Sequence, residues 1–335
     1  MALESTKNLM DPREEDNDQE LEIGLRPQSW DDFIGQDKVK KNLLVYSRAA
    51  KKRDESLDHV LIYGPPGLGK TTLAGVLAKE LGVDCRISSG PALARTGDLA
   101  SILTNLKRGD IFFIDEIHRL SKIVEEVLYS AMEDFAIDIV LGKGPAAKTV
   151  RLNLEPFTLI GATTKAGSIS APLRDRFGVV ERLNFYNQSD ILKILKNAAE
   201  KMEIEYDDQA LKLIAKASRG TPRVANRLLK RVRDFACVNE QSLTVELVNS
   251  SLLSLGIDHN GLNSFDRALL AIMINKFKGG PVGLDTLAAA LSEDRETIED
   301  YTEPYLLRLG LIEKTNRGRK ATDQARAWAH EDGWQ

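Results

Sequence analysis

Residues 59–81 read HVLIYGPPGLGKTTLAGVLAKEL. A strand-like apolar run ends at Gly64, and a helix-forming stretch begins at Lys70. Between them lies G-x-x-x-x-G-K-T, with Gly64, Gly69, Lys70 and Thr71 in its fixed positions. Glycines there let backbone N–H groups wrap a polyphosphate, and the helix N-terminus adds the positive end of its dipole. Lys70 places a cation on the β- and γ-phosphates, and Thr71 is positioned to ligate Mg²⁺. The strand–loop–helix unit predicts an α/β domain with a parallel sheet that binds a nucleotide.

Working outward, strand-like runs at 59–63, 84–87, 110–114 and 158–161 alternate with helical stretches at 38–52, 71–81, 99–106 and 124–135. Such alternation marks a parallel α/β layer over residues 23–186. Residues 136–154 interrupt it with IDIVL and TVRLNL on either side of a Gly/Pro turn, which predicts an inserted hairpin. Residues 187–257 read as wholly helical: Asn187-Gln188-Ser189-Asp190 caps ILKILKNAAEKM, and two further helical stretches follow. In 260–335, three helical stretches precede two short strands around Asn316-Arg317-Gly318, the pattern of a winged helix.

The run IFFIDEIHRL ends a buried strand in Asp115-Glu116. An acid at that place can hold the Mg²⁺ shell, and the next one can orient or deprotonate an attacking water. That spare Glu116 points to hydrolysis. His118 reads either as a relay or as a satisfied helix-start histidine. The strand 158–161 runs on to Thr163 and Thr164, either of which offers a hydroxyl to the γ-phosphate or the water. Next come Arg174 and Arg176. An arginine near a subunit edge can enter a neighbour's site; Arg174 reads alternatively as a surface ion pair with Asp175, and of the two Arg176 is favoured. Arg223 follows Gly220-Thr221-Pro222 in the first turn of a helix, where the dipole disfavours a cation, so an anionic partner is expected.

The chain holds 46 Lys and Arg against 50 Asp and Glu, a formal net charge of −4, which argues against a generic basic nucleic-acid binder. Residues 1–22 carry eight acids and two bases; taking their −6 away leaves +2, so any basic patch must be local. This acidic stretch reads as a mobile tail. Residues 314–326 hold Lys314, Arg317, Arg319, Lys320 and Arg326 against Asp323, a net of +4 on the wing. No apolar run spans a membrane and no secretory segment is evident, so a cytoplasmic protein is expected. Cys85 and Cys237 have no framework or metal-ligand spacing and read as small buried hydrophobes.

Together, GPPGLGKTT, DEIHRL, GATT, APLRDRFG and RGTPR resemble the AAA+ ATPases. RPQSWDDFIGQ, VLGKGPAAKTVRLNLEPFTLIGATT and the terminal TNRGRKAT narrow the resemblance to the RuvB family of Holliday-junction branch-migration ATPases, over residues 25–326. The resemblance implies a P-loop domain, an all-α lid and a winged-helix head. It implies a homohexamer that uses ATP and Mg²⁺ to draw duplex DNA, with RuvA and RuvC as partners. It implies adenine-side contacts at Leu25, Arg26 and Tyr186, and phosphate contacts at Gly67, Gly69, Lys70, Thr71 and Thr72. It makes Arg176 the trans finger and Arg223 the second sensor, and puts Glu133-Asp134-Phe135 near the nucleotide. The hairpin, with apolar Ile139, Val140 and Leu141, corresponds to a RuvA-docking element. DNA contacts correspond to Arg295, Lys314 and Arg319. Where the family has Arg-Thr-Pro-Arg-Gly-Arg, this chain has Lys314-Thr315-Asn316-Arg317-Gly318-Arg319, which keeps the charge at 314 but loses the guanidinium fork. A replication-initiator or clamp-loader-like DNA switch, and a protein-remodelling AAA+ enzyme, are the alternative readings.

Overall fold

The computed structural model describes residues 9–11, 24–141 and 148–331. The chain divides into two compact units, Glu15–Tyr186 and Asn187–Gln335 with Met1–Glu14. In the first unit five parallel strands form one sheet: β1 (Val60–Tyr63), β2 (Cys85–Ser89), β3 (Ile111–Asp115), β6 (Thr158–Thr163) and β7 (Val179–Arg182). Their order is β2-β3-β6-β1-β7. The central strands are covered on both faces, which is why they read as continuous apolar runs; Phe112, Phe113, Leu61 and Ile62 are fully buried. Around the sheet lie α1 (Asp37–Arg53), α2 (Lys70–Leu81), α3 (Thr96–Leu103) and α4 (Lys122–Asp134).

Helix α4 shows how local sequence sets an element. The Ser121 hydroxyl accepts from the Val124 N–H at its start, and Phe135 ends it at φ 47°. Val124, Leu128, Ala131 and Met132 make its buried stripe. The chain then turns into the expected hairpin, β4 (Ala136–Leu141) paired antiparallel with β5 (Lys148–Asn153) from Ala136↔Asn153 to Leu141↔Lys148. Ile137 at its root is buried in the domain core, whereas Val150 is exposed. The side chains of Ile139, Val140 and Leu141, and the Gly/Pro turn, lie outside the described residues.

His59 closes the lower end of this core. Its Nδ1 accepts the Leu159 N–H (2.9 Å), and its Nε2 faces the Met132 carbonyl (3.1 Å). These partners select the neutral ring with the proton on Nε2. Burial lowers the His59 pKa below the ordinary imidazole value. The unfolded chain therefore takes up the proton first as pH falls, and the native state loses stability from about pH 6.5 downward. Denaturant midpoints between pH 7.5 and 5 should fall more steeply for the native sequence than for His59→Gln; parallel slopes would remove His59 as the cause.

The second unit begins with four helices: α5 (Gln188–Lys201), α6 (Asp208–Ala217), α7 (Pro222–Val238) and α8 (Val245–Ser254). The sequence suggested three. Asp207, which caps α6 by accepting from the Gln209 N–H, is the start signal between the first two. As read, Asn187 caps α5 and Thr221 with Pro222 opens α7. A winged helix follows: α9 (Ser264–Ala271), α10 (Leu284–Leu291), α11 (Arg295–Thr297), α12 (Glu303–Arg308), β8 (Ile312–Thr315) and β9 (Gly318–Ala321). A π-helical turn, Ile298–Thr302, joins α11 to α12. A last helix, α13 (Asp323–Glu331), was not expected; its DQARAWAHE carries few large apolar residues to betray a period.

Two other expectations change. Cys237 is exposed and Cys85 half-buried, so neither is a core residue. Of the supposed mobile tail, Leu9 and Met10 are buried, and the Asp11 carbonyl accepts from Arg227. The remainder of 1–22 lies outside the described residues.

Candidate active site and nucleic-acid interface

In a parallel sheet the carboxyl ends of all strands share one edge, where ligands bind. Tyr63 of β1 pairs with Thr163 of β6, and the Gly64 N–H donates to the Thr163 carbonyl (3.1 Å). Strand β3 lies on the far side of β6 and ends in Asp115, about 10 Å across the sheet from β1 at ordinary strand spacing. The phosphate loop, Asp115, Glu116 and Thr163 therefore meet at one edge. Gly69 caps α2 at φ 92°, and a Cβ on Gly64 would lie 2.5 Å from the Leu183 carbonyl oxygen. Lys70 is 7% exposed and donates to the carbonyls of Gly64 (3.0 Å) and Pro65 (2.9 Å). These two bonds curl its ammonium back onto its own loop.

Asp115 Oδ1 accepts the Glu116 N–H (2.8 Å). A hydroxyl at Thr71 and one carboxylate at Asp115 form the small, hard oxygen set that Mg²⁺ takes when water and phosphate complete its shell, so these residues fit the ion. Glu116 stands at φ 47° and pairs with Arg119 at 2.9 Å. The two threonines differ. Thr163 is buried; its hydroxyl contacts His118 Nδ1 (2.9 Å) and accepts the Lys165 N–H (3.0 Å). Thr164 is exposed. Burial lowers the His118 pKa below the ordinary imidazole value, and its Nδ1 shares a hydrogen bond with the Thr163 hydroxyl.

On the flank, the Tyr186 hydroxyl donates to the Leu68 carbonyl (3.3 Å), and Gln28 contacts Lys79 of α2. Leu25 and Arg26 are half-buried just before that contact. Gly67 lies in the loop at φ 73°, and Thr72 in the first turn of α2.

Arg176 is elsewhere. It precedes β7, whose Val179 N–H donates to the His59 carbonyl at the amino end of β1. Its guanidinium pairs with Glu133 (2.9 Å), donates to the Pro172 carbonyl (2.7 Å) and lies 4.7 Å from the Tyr129 ring centroid. Asp134 pairs with Arg151 (2.8 Å), and Phe135 packs edge-on to Phe157 (5.9 Å). These residues sit at the sheet edge opposite the phosphate loop, about 13 Å of strand away. Glu133, Asp134, Phe135 and Arg176 thus stand apart from the phosphate loop of their own chain.

Substituting Lys70→Ala should weaken nucleotide retention ten- to a hundredfold, about the value of a charge-assisted hydrogen bond. Equilibrium binding of a fluorescent ATP analogue measures it, and unchanged affinity would remove Lys70 from the site.

On the winged helix, the wing cations are less free than a local count suggests. Lys314 and Arg319 are direct cross-strand neighbours. Lys314 pairs with Glu303 (2.6 Å), and Arg319 with the same carboxylate through Nε (3.0 Å) and Nη2 (2.9 Å). Arg295 lies 3.4 Å from Asp285 and 3.7 Å from Glu299. Arg317 and Lys320, which the family comparison did not single out, are exposed.

Three family models cover the chain nearly end to end. The Holliday junction DNA helicase RuvB P-loop domain matches residues 25–183, the RuvB AAA lid domain 186–258 and the RuvB C-terminal winged helix domain 259–329. The chain belongs to the RuvB family of Holliday junction DNA helicases. Among solved structures it is similar to Thermotoga maritima RuvB, described as a Holliday junction branch migration motor: 48% identity over 92% of this chain and 98% of that one, TM-score 0.82. A lysine-to-arginine variant of that protein gives 49% over the same shares, TM-score 0.83. RuvB-family membership makes the first unit a P-loop ATPase domain that binds nucleotide. No helix among the described residues is long and apolar enough to cross a membrane.

Proposed function

We propose that this chain hydrolyses ATP with Mg²⁺ in a homohexameric ring in the cytoplasm, and spends each turnover on drawing duplex DNA during branch migration. RuvA would load the ring through the β4–β5 hairpin, and RuvC would work on the same junction. The observation that carries the ring is the split site: Lys70, Thr71, Asp115 and Glu116 stand at one sheet edge and Arg176 at the other. A complete site then needs two subunits.

In this reading the loop N–H groups and Lys70 bind the β- and γ-phosphates. Bound Mg²⁺, held by Thr71 and Asp115, would neutralise charge on the phosphate oxygens. Glu116 leaves Arg119 and accepts a proton from the attacking water. Thr164 reaches the γ-phosphate side, a role its exposure favours, while Thr163 ties the strand end to His118. A neighbour's Arg176 faces charge that develops on the transferring group, and Arg223 reports the same phosphate to the lid. Leu25, Arg26 and Tyr186 flank the base. Arg295, Lys314 and Arg319 touch DNA phosphates, which position a protein without reading sequence.

The decisive experiment is ATP-dependent movement of a synthetic four-way junction, with and without RuvA. Movement that requires ATP, and increases with RuvA, is expected; no movement in either case would overturn the reading.

A further inference from the structure

We propose that Glu303 is the positioning residue of the DNA-facing wing: a buried carboxylate that holds Lys314 and Arg319 side by side in a phosphate-ready arrangement. The proposal rests on the DNA role given above to these two cations. Three observations lead to it.

Lys314 and Arg319 face one another directly across the β8–β9 hairpin. Like charges directly opposite repel and, left alone, would splay apart. Glu303 sits between them and is 1% exposed, so it cannot swing out to water when DNA arrives. It pairs with Lys314 through Oε1, at 2.6 Å, and with both Nε and Nη2 of Arg319 through Oε2.

Arg319 is also fixed at its backbone. Its N–H donates to the Val282 carbonyl (2.7 Å) and its carbonyl accepts the Val282 N–H (2.8 Å), which adds a third strand position to the wing. Neighbouring Gly318, at φ 130°, admits this approach because a Cβ there would strike the Val282 carbonyl. With backbone and Nε/Nη2 edge both held, Nη1 of Arg319 takes part in none of these bonds and is the donor left for a phosphate. Lys314 is ion-paired to Glu303 and stays half-exposed, so its ammonium also faces solvent.

Third, the carboxylate comes from an unexpected element. Glu303 opens α12, directly after the π-helical turn Ile298–Thr302. This helical segment also carries Glu296, Glu299 and Asp300, and Glu299 lies 3.8 Å from Arg319 and 3.7 Å from Arg295. The segment is too acidic to lie against phosphates by itself. Its carboxylates instead align the cations of the adjacent wing, in the alternating series Arg295, Glu299, Arg319, Glu303, Lys314.

The test exploits a sign. Glu303→Gln makes the wing one charge more positive, so a carboxylate that only offsets cation charge predicts tighter DNA binding. A positioning carboxylate predicts weaker binding, about tenfold, as one charge-assisted contact is lost. The log K against log salt slope should shrink by about 0.9. Affinity is read by fluorescence anisotropy on two unrelated duplexes between 50 and 200 mM salt, using the full-length chain. ATP turnover without DNA and the thermal midpoint serve as fold controls. Should Glu303→Gln melt early, Glu303→Asp decides: it keeps the charge but draws the acceptor back by one methylene, and weaker binding is again expected. Tighter binding by Glu303→Gln, or native affinity in Glu303→Asp, overturns the proposal. Lys314→Ala and Arg319→Ala run alongside. If neither weakens binding, the DNA role of the wing fails; if both do while Glu303→Gln tightens, only the positioning role of Glu303 fails.

Discussion

Arg176→Ala should leave ATP binding intact and cut turnover by about 10³- to 10⁵-fold, the range found for arginines supplied across an interface. The reasoning is geometric. The Arg176 guanidinium lies beside Glu133 and Tyr129 at the amino edge of the sheet, so its loss removes nothing from the phosphate loop of its own chain. The Glu133 side of the salt bridge is 58% exposed, so the pair contributes little to stability and the variant should fold. Subunit mixing then separates trans from cis action. Arg176→Ala subunits keep a working phosphate loop, and Lys70→Ala subunits keep the arginine. Neither pure preparation should turn over at a useful rate, but mixed rings should, wherever an intact loop faces an intact arginine. Mixtures as inactive as the two parents would count against a trans role and against the split site.

The parts legible in sequence share a property: their meaning is local. Gly64, Gly69, Lys70 and Thr71 lie within eight consecutive residues, and their backbone demands are written in the glycines. Asp115 was readable because an apolar strand runs straight into it. The wing was readable from two short strands about Asn316-Arg317-Gly318, and β8 and β9 pair there. What escaped depends on partners remote in sequence. A count over 314–326 gave +4, yet the carboxylate that organises Lys314 and Arg319 lies outside that window, at Glu303. Thr163 and Thr164 were indistinguishable until β6 pointed the first at His118. Glu133 and Phe135 looked like nucleotide neighbours by resemblance alone; only the direction of the strands assigns them to the opposite edge from their own phosphate loop.

Arg219 is the sharpest such case, and it carries the largest expected effect on stability. In the sequence it is one base among six between 219 and 233, readable as a solvated or intersubunit face. In the fold its side chain is 5% exposed and joins the four-helix segment to the winged helix. Nη2 meets Asp266 at 2.5 Å, Nε donates to the Gly261 carbonyl (3.0 Å), and the guanidinium lies 4.5 Å from the Tyr305 ring centroid. Asp266 is fully buried and accepts the Asn263 N–H, while its own N–H donates to the Asn263 side chain, so it also caps α9. Burial pushes the neighbouring Tyr305 phenol up to about 12, so it stays neutral and Asp266 is the carboxylate paired with Arg219. Asp266→Ala strands that cation in a buried site and should cost about 3–5 kcal/mol. For a unit of this size that lowers the thermal midpoint by about 10 °C. Arg219→Met alone should cost a similar amount, by stranding the carboxylate. The double variant Arg219→Met/Asp266→Leu strands neither charge, and replacing a buried pair with apolar groups is often close to neutral. Its midpoint should therefore lie above that of either single variant, minus what the lost α9 cap costs, about 1 kcal/mol. Additive losses in the double variant would mean that the two side chains stabilise the joint separately, by packing, and that their mutual charge contributes little. A second readout follows from position. Arg219 stands four residues before Arg223, on the turn that opens α7, so loosening the joint should broaden the melting transition of the second unit while the first, with its own core, melts where it did.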